Sequence, residues 1–264
     1  MVSVHSNLAS AGATLRPSSF APSPPVEDVT RGNGINKSPY LAHLAVVVFV
    51  ALFLSNSVSR AADLNALWER WLNAQTNLQN WSADFTQTRS LKVLTQPLVA
   101  TGRVWVASSG VFRWELGQPP QTIALRQPDQ LLIIYPKLKR AEKYPLHDVP
   151  AGPVKDALSL LDAAFPRDRA TMEDHFRLLS MTETGSTAQA RLQPKSASAR
   201  KFIEEISIGF RTNDFTMAMT QMQFADGSIL RNDFTNIVLN QPVDPQIFQP
   251  ALSPDITVVE PLRQ

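Results

Sequence analysis

The sequence contains no cysteine. That excludes disulfides, thiolate metal sites, a cysteine nucleophile and lipid attachment at an N-terminal cysteine. Histidine is scarce, with four in 264 residues. Beyond residue 62 only His147 and His175 remain, each beside an aspartate, Asp148 and Asp174. Chain neighbours do not face each other as an acid–base pair must, and neither histidine lies in a nucleophile motif. There is no G-x-S-x-G, phosphate-binding loop, dinucleotide fingerprint or H-E-x-x-H. No catalytic residue, metal site or cofactor is therefore expected. A secreted hydrolase would need a polar cluster inside a cavity, and no carboxylate pair is marked out for it.

The chain also lacks a long apolar run. Leu41 to Leu54 gives 14 mostly apolar residues, short of the ~20 that a spanning helix needs. Arg31 and Lys37 precede this run and Ser57-Val58-Ser59-Arg60-Ala61-Ala62 follows it. That is the layout of a secretory signal, so residues 41–61 are expected to be a cleaved signal peptide and the body to be exported to the periplasm. An uncleaved inner-membrane anchor is the alternative. Residues 1–40, rich in Ser, Pro, Ala and Asn, are expected to be disordered or to precede the true start.

A surplus of one charge sign is missing from the body. The sequence pI is about 9.0, yet four of the 25 basic residues and two of the 23 acidic ones fall in residues 1–61, which leaves 21 of each. A neutral body argues against nucleic acid as a partner. With no sharp linker after residue 62, residues 62–264 read as one domain.

What is present is pattern. Leu64, Leu67, Trp68, Trp71 and Leu72 lie at helical spacing after Asp63, which can cap the helix. From Asn80 the period becomes two. Trp81, Ala83 and Phe85 alternate with Ser82, Asp84 and Thr86. Thr101 to Glu115 reads as a hairpin turning at Ser108-Ser109-Gly110. On it Phe112, Trp114 and Leu116 point one way and Arg113 and Glu115 the other. Val104 and Val106 likewise oppose Arg103 and Trp105. More short strands follow to Leu239, spaced about 8–12 residues apart, and imply a meandering antiparallel sheet or barrel. Pro150 to Pro166 interrupts them with a second apolar helix stripe that includes Leu158, Leu161 and Phe165. A short helix at Asp244–Phe248 and a closing strand near Ile256–Glu260 are expected in the tail.

Met217, Met219 and Met222 crowd half the methionines into six positions. Thioethers can hold Cu(I), but no His or Cys flanks them. They read as adaptable apolar lining. Lys137, Lys139, Arg140 and Lys143 form a basic cluster in a predicted loop. It is either a solvated edge or a contact for an acidic partner or anionic headgroups.

Certain segments recur in a known order. They are Asp84-Phe85-Thr86-Gln87-Thr88-Arg89, Gly102-Arg103-Val104-Trp105-Val106, Phe112-Arg113-Trp114-Glu115, Tyr135-Pro136, Leu192-Gln193-Pro194-Lys195, Asp233-Phe234-Thr235-Asn236-Ile237 and Asn240-Gln241-Pro242-Val243-Asp244 with Phe248. In their order, from about Leu64 to Val259, the chain resembles the LolA family of periplasmic carriers of outer-membrane lipoproteins. The resemblance implies a mainly β (α+β) fold, an incomplete antiparallel β-barrel with lid helices over a hydrophobic cavity. It implies that the cavity, lined by Phe85, Trp105, Phe112, Trp114, Met217, Met219, Met222 and Phe234, holds lipoprotein acyl chains. It implies a lid formed by Leu158, Leu161 and Phe165. It implies delivery by a monomer from an inner-membrane ABC transporter to an outer-membrane receptor. The family commonly places an Arg after the W-V pair to hold the lid closed. Here Ser108 stands at that position, so the lid closes by helix packing or the cargo differs. A binding or sensor module for another lipidic ligand, without shuttling, is the alternative of the same fold.

Overall fold

The computed structural model describes residues 63–147 and 169–263. The expected N-terminal extension, the signal segment and the stripe of Leu158, Leu161 and Phe165 lie outside the described residues. Helix α1 runs over residues 63–76 and buries Leu67, Trp68, Trp71 and Leu72, the stripe that the 3.6-residue period picks out.

Strands β1 (Asn80–Ser90), β2 (Leu98–Ala107), β3 (Phe112–Leu116), β4 (Thr122–Arg126), β5 (Gln130–Tyr135) and β6 (Arg140–Pro145) follow as a meander. Helix α2 (Arg169–His175) leads into β7 (Phe176–Thr184) and β8 (Thr187–Pro194). Helix α3 (Ala197–Arg200) precedes β9 (Ile203–Arg211), β10 (Met217–Phe224) and β11 (Ile229–Leu239), and β12 (Thr257–Val259) comes last. The strands form one 12-stranded sheet in the order β12-β6-β5-β4-β3-β2-β1-β11-β10-β9-β8-β7. Only the β12–β6 pairing is parallel. β7 and β12 are its two edges, so the barrel is left open. Successive strands pair within β1–β6 and within β7–β11, and the pairing of β1 with β11 joins the two meanders into one sheet.

The hairpin of β2 and β3 turns where expected. Gly110 takes φ 80°, the left-handed conformation that favours glycine. Its N–H donates to the Ala107 carbonyl at 2.9 Å. Val104 pairs with Trp114 and Val106 with Phe112, so these four side chains share one face.

Helices α2 and α3 were not legible in the sequence. α2 is seven residues with Met172 its one buried side chain, too little for a periodic signal. It is held by Arg169, which pairs with Glu69 of α1 and lies 2.7 Å from Glu173. α3 spans four residues, capped by Ser196, whose hydroxyl accepts from the Ala199 N–H at 3.3 Å. The expected closing strand is β12. It extends the β6 edge and does not close the sheet.

Two apolar cores flank the sheet. The larger lies on the inner face, which α1 and α2 cover. The smaller lies behind β4–β6 on the outer face. There Leu125, Leu132, Ile134 and Ala141 are covered by Leu252 and Ile256 of the C-terminal segment. The Arg113 guanidinium donates to the Ile247 carbonyl at 3.3 Å, and the Gln127 amide donates to the Phe248 carbonyl at 3.3 Å. β5 is thus apolar on both faces, which is why Leu131 to Ile134 shows no alternation.

Candidate functional site

The inner face is built from register. Trp81, Ala83 and Phe85 of β1 oppose Val106, Val104 and Gly102 of β2, and Phe85 also opposes Phe234 of β11. On this face α1 docks through Trp71, which stacks on Phe210 of β9 at 5.1 Å and on Trp68 at 4.9 Å.

Four of the expected lining residues come together. The rings of Phe85 and Trp114 lie 4.0 Å apart, and Phe234 meets Trp114 edge-on at 6.2 Å. Phe112 is buried in the same core. Phe85, Phe112 and Phe234 fill this space themselves, and Trp114 is half-buried above them. Met217 and Met222 also belong to this face.

Two expected lining residues do not. Trp105 pairs with Ser82 and Arg113 and lies on the outer face, with the Arg103 guanidinium 5.1 Å from its ring centre. Met219 pairs with Gly209 and Asp233. It lies across Gly209 on the outer face, with its methyl group at the van der Waals distance a Cβ there would have. The cause is a β-bulge between Met217 and Met219, which flips the alternation.

Among the described residues the roomier cavity lies elsewhere, between α1, α2 and the β7–β8 edge. Its volume is about 440 Å³, within the range of ~300–1,000 Å³ typical of small-ligand sites. Trp68, Met172, Phe176, Leu178 and Leu192 form its apolar wall, and Asn65, Glu69, Glu173, Arg177 and Lys195 stand at its rim. Arg169 ties Glu69 to Glu173 across the two helices, and Lys195 reaches the Glu173 carbonyl. A smaller apolar gap of about 30 Å³ sits under the C-terminal turn of α1, beside Trp81, Phe215 and Met217.

The inner face carries two polar groups of residues. In the first, the Gln87 amide donates to Asn232 at 3.0 Å, and Asn232 donates to the Thr220 hydroxyl at 3.1 Å. Asn232 and Thr220 are buried, and this pairing satisfies them. The second lies on β6. The Tyr144 hydroxyl donates to Glu142 at 2.9 Å, and Arg140 donates to the other oxygen at 2.9 Å. Burial, and then the bond to Glu142, pushes the Tyr144 phenol up to about 12. The neutral phenol is the form that the fold favours. Its stabilisation is present below the ordinary pKa near 10 and is lost as pH rises through about 12. Ultraviolet titration of tyrosinate should show one ring ionising that late. Glu142→Gln should bring it down partway, leaving the part due to burial; an unmoved titration would dissociate Glu142 from it.

The basic cluster is divided. Lys139 lies 3.0 Å from Asp255 and Lys143 3.6 Å from Glu260, while Arg140 is committed to Glu142. Lys137 makes no ion pair among the described residues. Ser108 is exposed, and its N–H donates to the Gln79 carbonyl at 2.7 Å, tying the hairpin turn to the residue just before β1. His147 and His175 fall at opposite ends of the strands, and a His175 ring nitrogen is bonded to the Thr171 carbonyl at 2.8 Å.

The sequence model of the outer membrane lipoprotein carrier protein LolA matches residues 76–251, from the end of α1 through the segment that backs β4–β6. The chain belongs to the LolA family. Solved structures resembling this LolA-family chain include a LolA superfamily protein from Nitrosomonas europaea, at 10% identity and a TM-score of 0.39, over 69% of this chain and 97% of that one. The lipoprotein LppX of Mycobacterium tuberculosis aligns at 11% identity and a TM-score of 0.38, over 69% and 98%. The MucA/MucB complex of Pseudomonas aeruginosa aligns at 15% identity and a TM-score of 0.32, over 72% and 62%. No curated protein matches the chain in sequence. The sequence reading of this LolA-family chain missed the α1–α2–β7 cavity, because α2 gives no pattern. The alternation of Phe176 and Leu178 was the one local signal for it.

Proposed function

We propose that the protein is a periplasmic carrier that shelters the acyl chains of lipoproteins between an inner-membrane releasing transporter and an outer-membrane receptor. The observation that carries this reading is the half-open apolar cavity between α1, α2 and β7–β8 in a chain of the LolA family. The physical need is large. At ~0.8 kcal/mol per CH₂, a sixteen-carbon chain left in water costs roughly 12 kcal/mol. A carrier has only to bind more weakly than its acceptor, so neither ATP nor a catalytic group is required of it. The Phe85–Trp114–Phe234 cluster is the second part of the proposed lining, with half-buried Trp114 the side chain that meets cargo.

The test is mass spectrometry of what copurifies with the protein from the cell envelope. Lipoprotein or acyl lipid should be found, and Leu178→Glu should lower the loaded fraction of folded protein at least tenfold, with some loss of stability because Leu178 is half-buried against the core at the cavity. A protein that emerges empty and releases no lipoprotein from spheroplasts overturns the proposal. A stable complex with no transfer to acceptor membranes identifies a binding module instead.

A further inference from the structure

Antiparallel pairing sorts the loops between two ends of the sheet. Loops 91–97, 117–121, 136–139, 195–202 and 225–228 share one end; loops 108–111, 127–129, 185–186 and 212–216 share the other. The two ends differ in chemistry. Val93, Leu94, Leu98, Val99, Leu138 and Phe202 all belong to the first end, and they are six of the nine large apolar side chains most exposed among the described residues. Val93 is 87% exposed and Leu138 71%. Leu98 and Val99 extend past the last β2–β3 pair, Gly102 with Leu116, so this hairpin projects beyond its neighbour.

Charge follows the same division. The loops of the first end hold six Lys and Arg and one acid, Asp226, with Asp255 of the C-terminal segment paired to Lys139; those of the second hold Asp129 and Asp214 and no Lys or Arg. Lys137 and Lys201 make no ion pair among the described residues. Exposed apolar tips with cations between them are the chemistry that lipid surfaces select, with apolar groups entering the acyl boundary and lysines meeting anionic headgroups.

We propose that this end of the sheet is a docking edge for an anionic bilayer surface, with the β1–β2 loop as its leading element. The docking edge borders the acyl-chain cavity, with Lys195 common to both, but its apolar tips are other residues, and an empty protein docks as a loaded one does. Failure to find cargo would leave it standing.

The absence of native cysteine makes the test direct. Val93→Cys and Ser109→Cys place an environment-sensitive fluorophore at opposite ends of the full chain, both at exposed positions. Vesicles of phosphatidylcholine with phosphatidylglycerol should brighten and blue-shift the label at 93 and leave that at 109 unchanged. The response should vanish with phosphatidylcholine alone or at high salt. Lys137→Gln with Lys201→Gln should weaken binding roughly thirtyfold. An equal response at both positions, a response indifferent to anionic lipid, or none at 93 overturns the proposal. A response to soluble envelope protein in place of vesicles overturns it likewise.

Discussion

Trp71→Ala is expected to lower stability by about 3–5 kcal/mol, the range for removing a large buried aromatic side chain. Trp71 has no exposed surface. Its ring is stacked between Trp68 and Phe210, so its loss removes the main contact between α1 and the sheet and leaves a void that neither neighbour can fill without moving. Trp71→Phe should cost clearly less. The Trp71 indole N–H is buried with no hydrogen-bond partner among the described residues, and phenylalanine removes that unpaired donor, which itself costs about 1–3 kcal/mol. Urea unfolding midpoints of the three proteins give the order, wild type, then Phe, then Ala. An alanine variant within ~1 kcal/mol of wild type would mean that α1 is not docked through this ring.

Gly102→Ala is the second severe change. An added Cβ would run into the Glu115 carbonyl oxygen of β3 and the edge of the Phe85 ring. Two effects compete. Alanine narrows the unfolded ensemble, which favours folding by roughly 0.4–1 kcal/mol where space permits. Overpacking costs about 1–3 kcal/mol and more when backbone must shift. Here one obstacle is backbone, so the clash wins and destabilisation by ~3 kcal/mol is expected. Phe85→Ala in the Gly102→Ala background should recover part of the clash but not the part due to the carbonyl. The coupling from that double-mutant cycle measures the ring's share. A Gly102→Ala protein as stable as wild type would refute the close approach of β2 and β3.

The β2–β3 hairpin was legible because its period of two is unbroken and its turn has a glycine where φ is positive. Helix α1 was legible because its stripe, Leu64 to Leu72, keeps the helical period without a break. The methionines were not. Counting by twos from Met217 puts Met219 on the same face, and only the bulge between them moves it outward. Trp105 was placed in the lining for its residue type, although its alternation with Val104 and Val106 already put it outside. The partners of the basic cluster, Asp255 and Glu260, lie more than a hundred residues further along the chain. No local pattern announces such a pairing. The cavity needs α1 and α2 brought together by Arg169, which the sequence does not display.

The unclosed sheet sets how the interior can change size. A closed barrel has its bore fixed by strand number and stagger, and widening it means breaking ladder hydrogen bonds. In this sheet β7 and β12 are not bonded to each other. Their separation can therefore grow by a change of curvature alone, with every ladder intact. The resistance to swelling then comes from the packing of α1 and α2 against β7–β9, where Trp71 and Met172 are held. A guest larger than the resting hollow would be accommodated against side-chain contacts and not against the backbone.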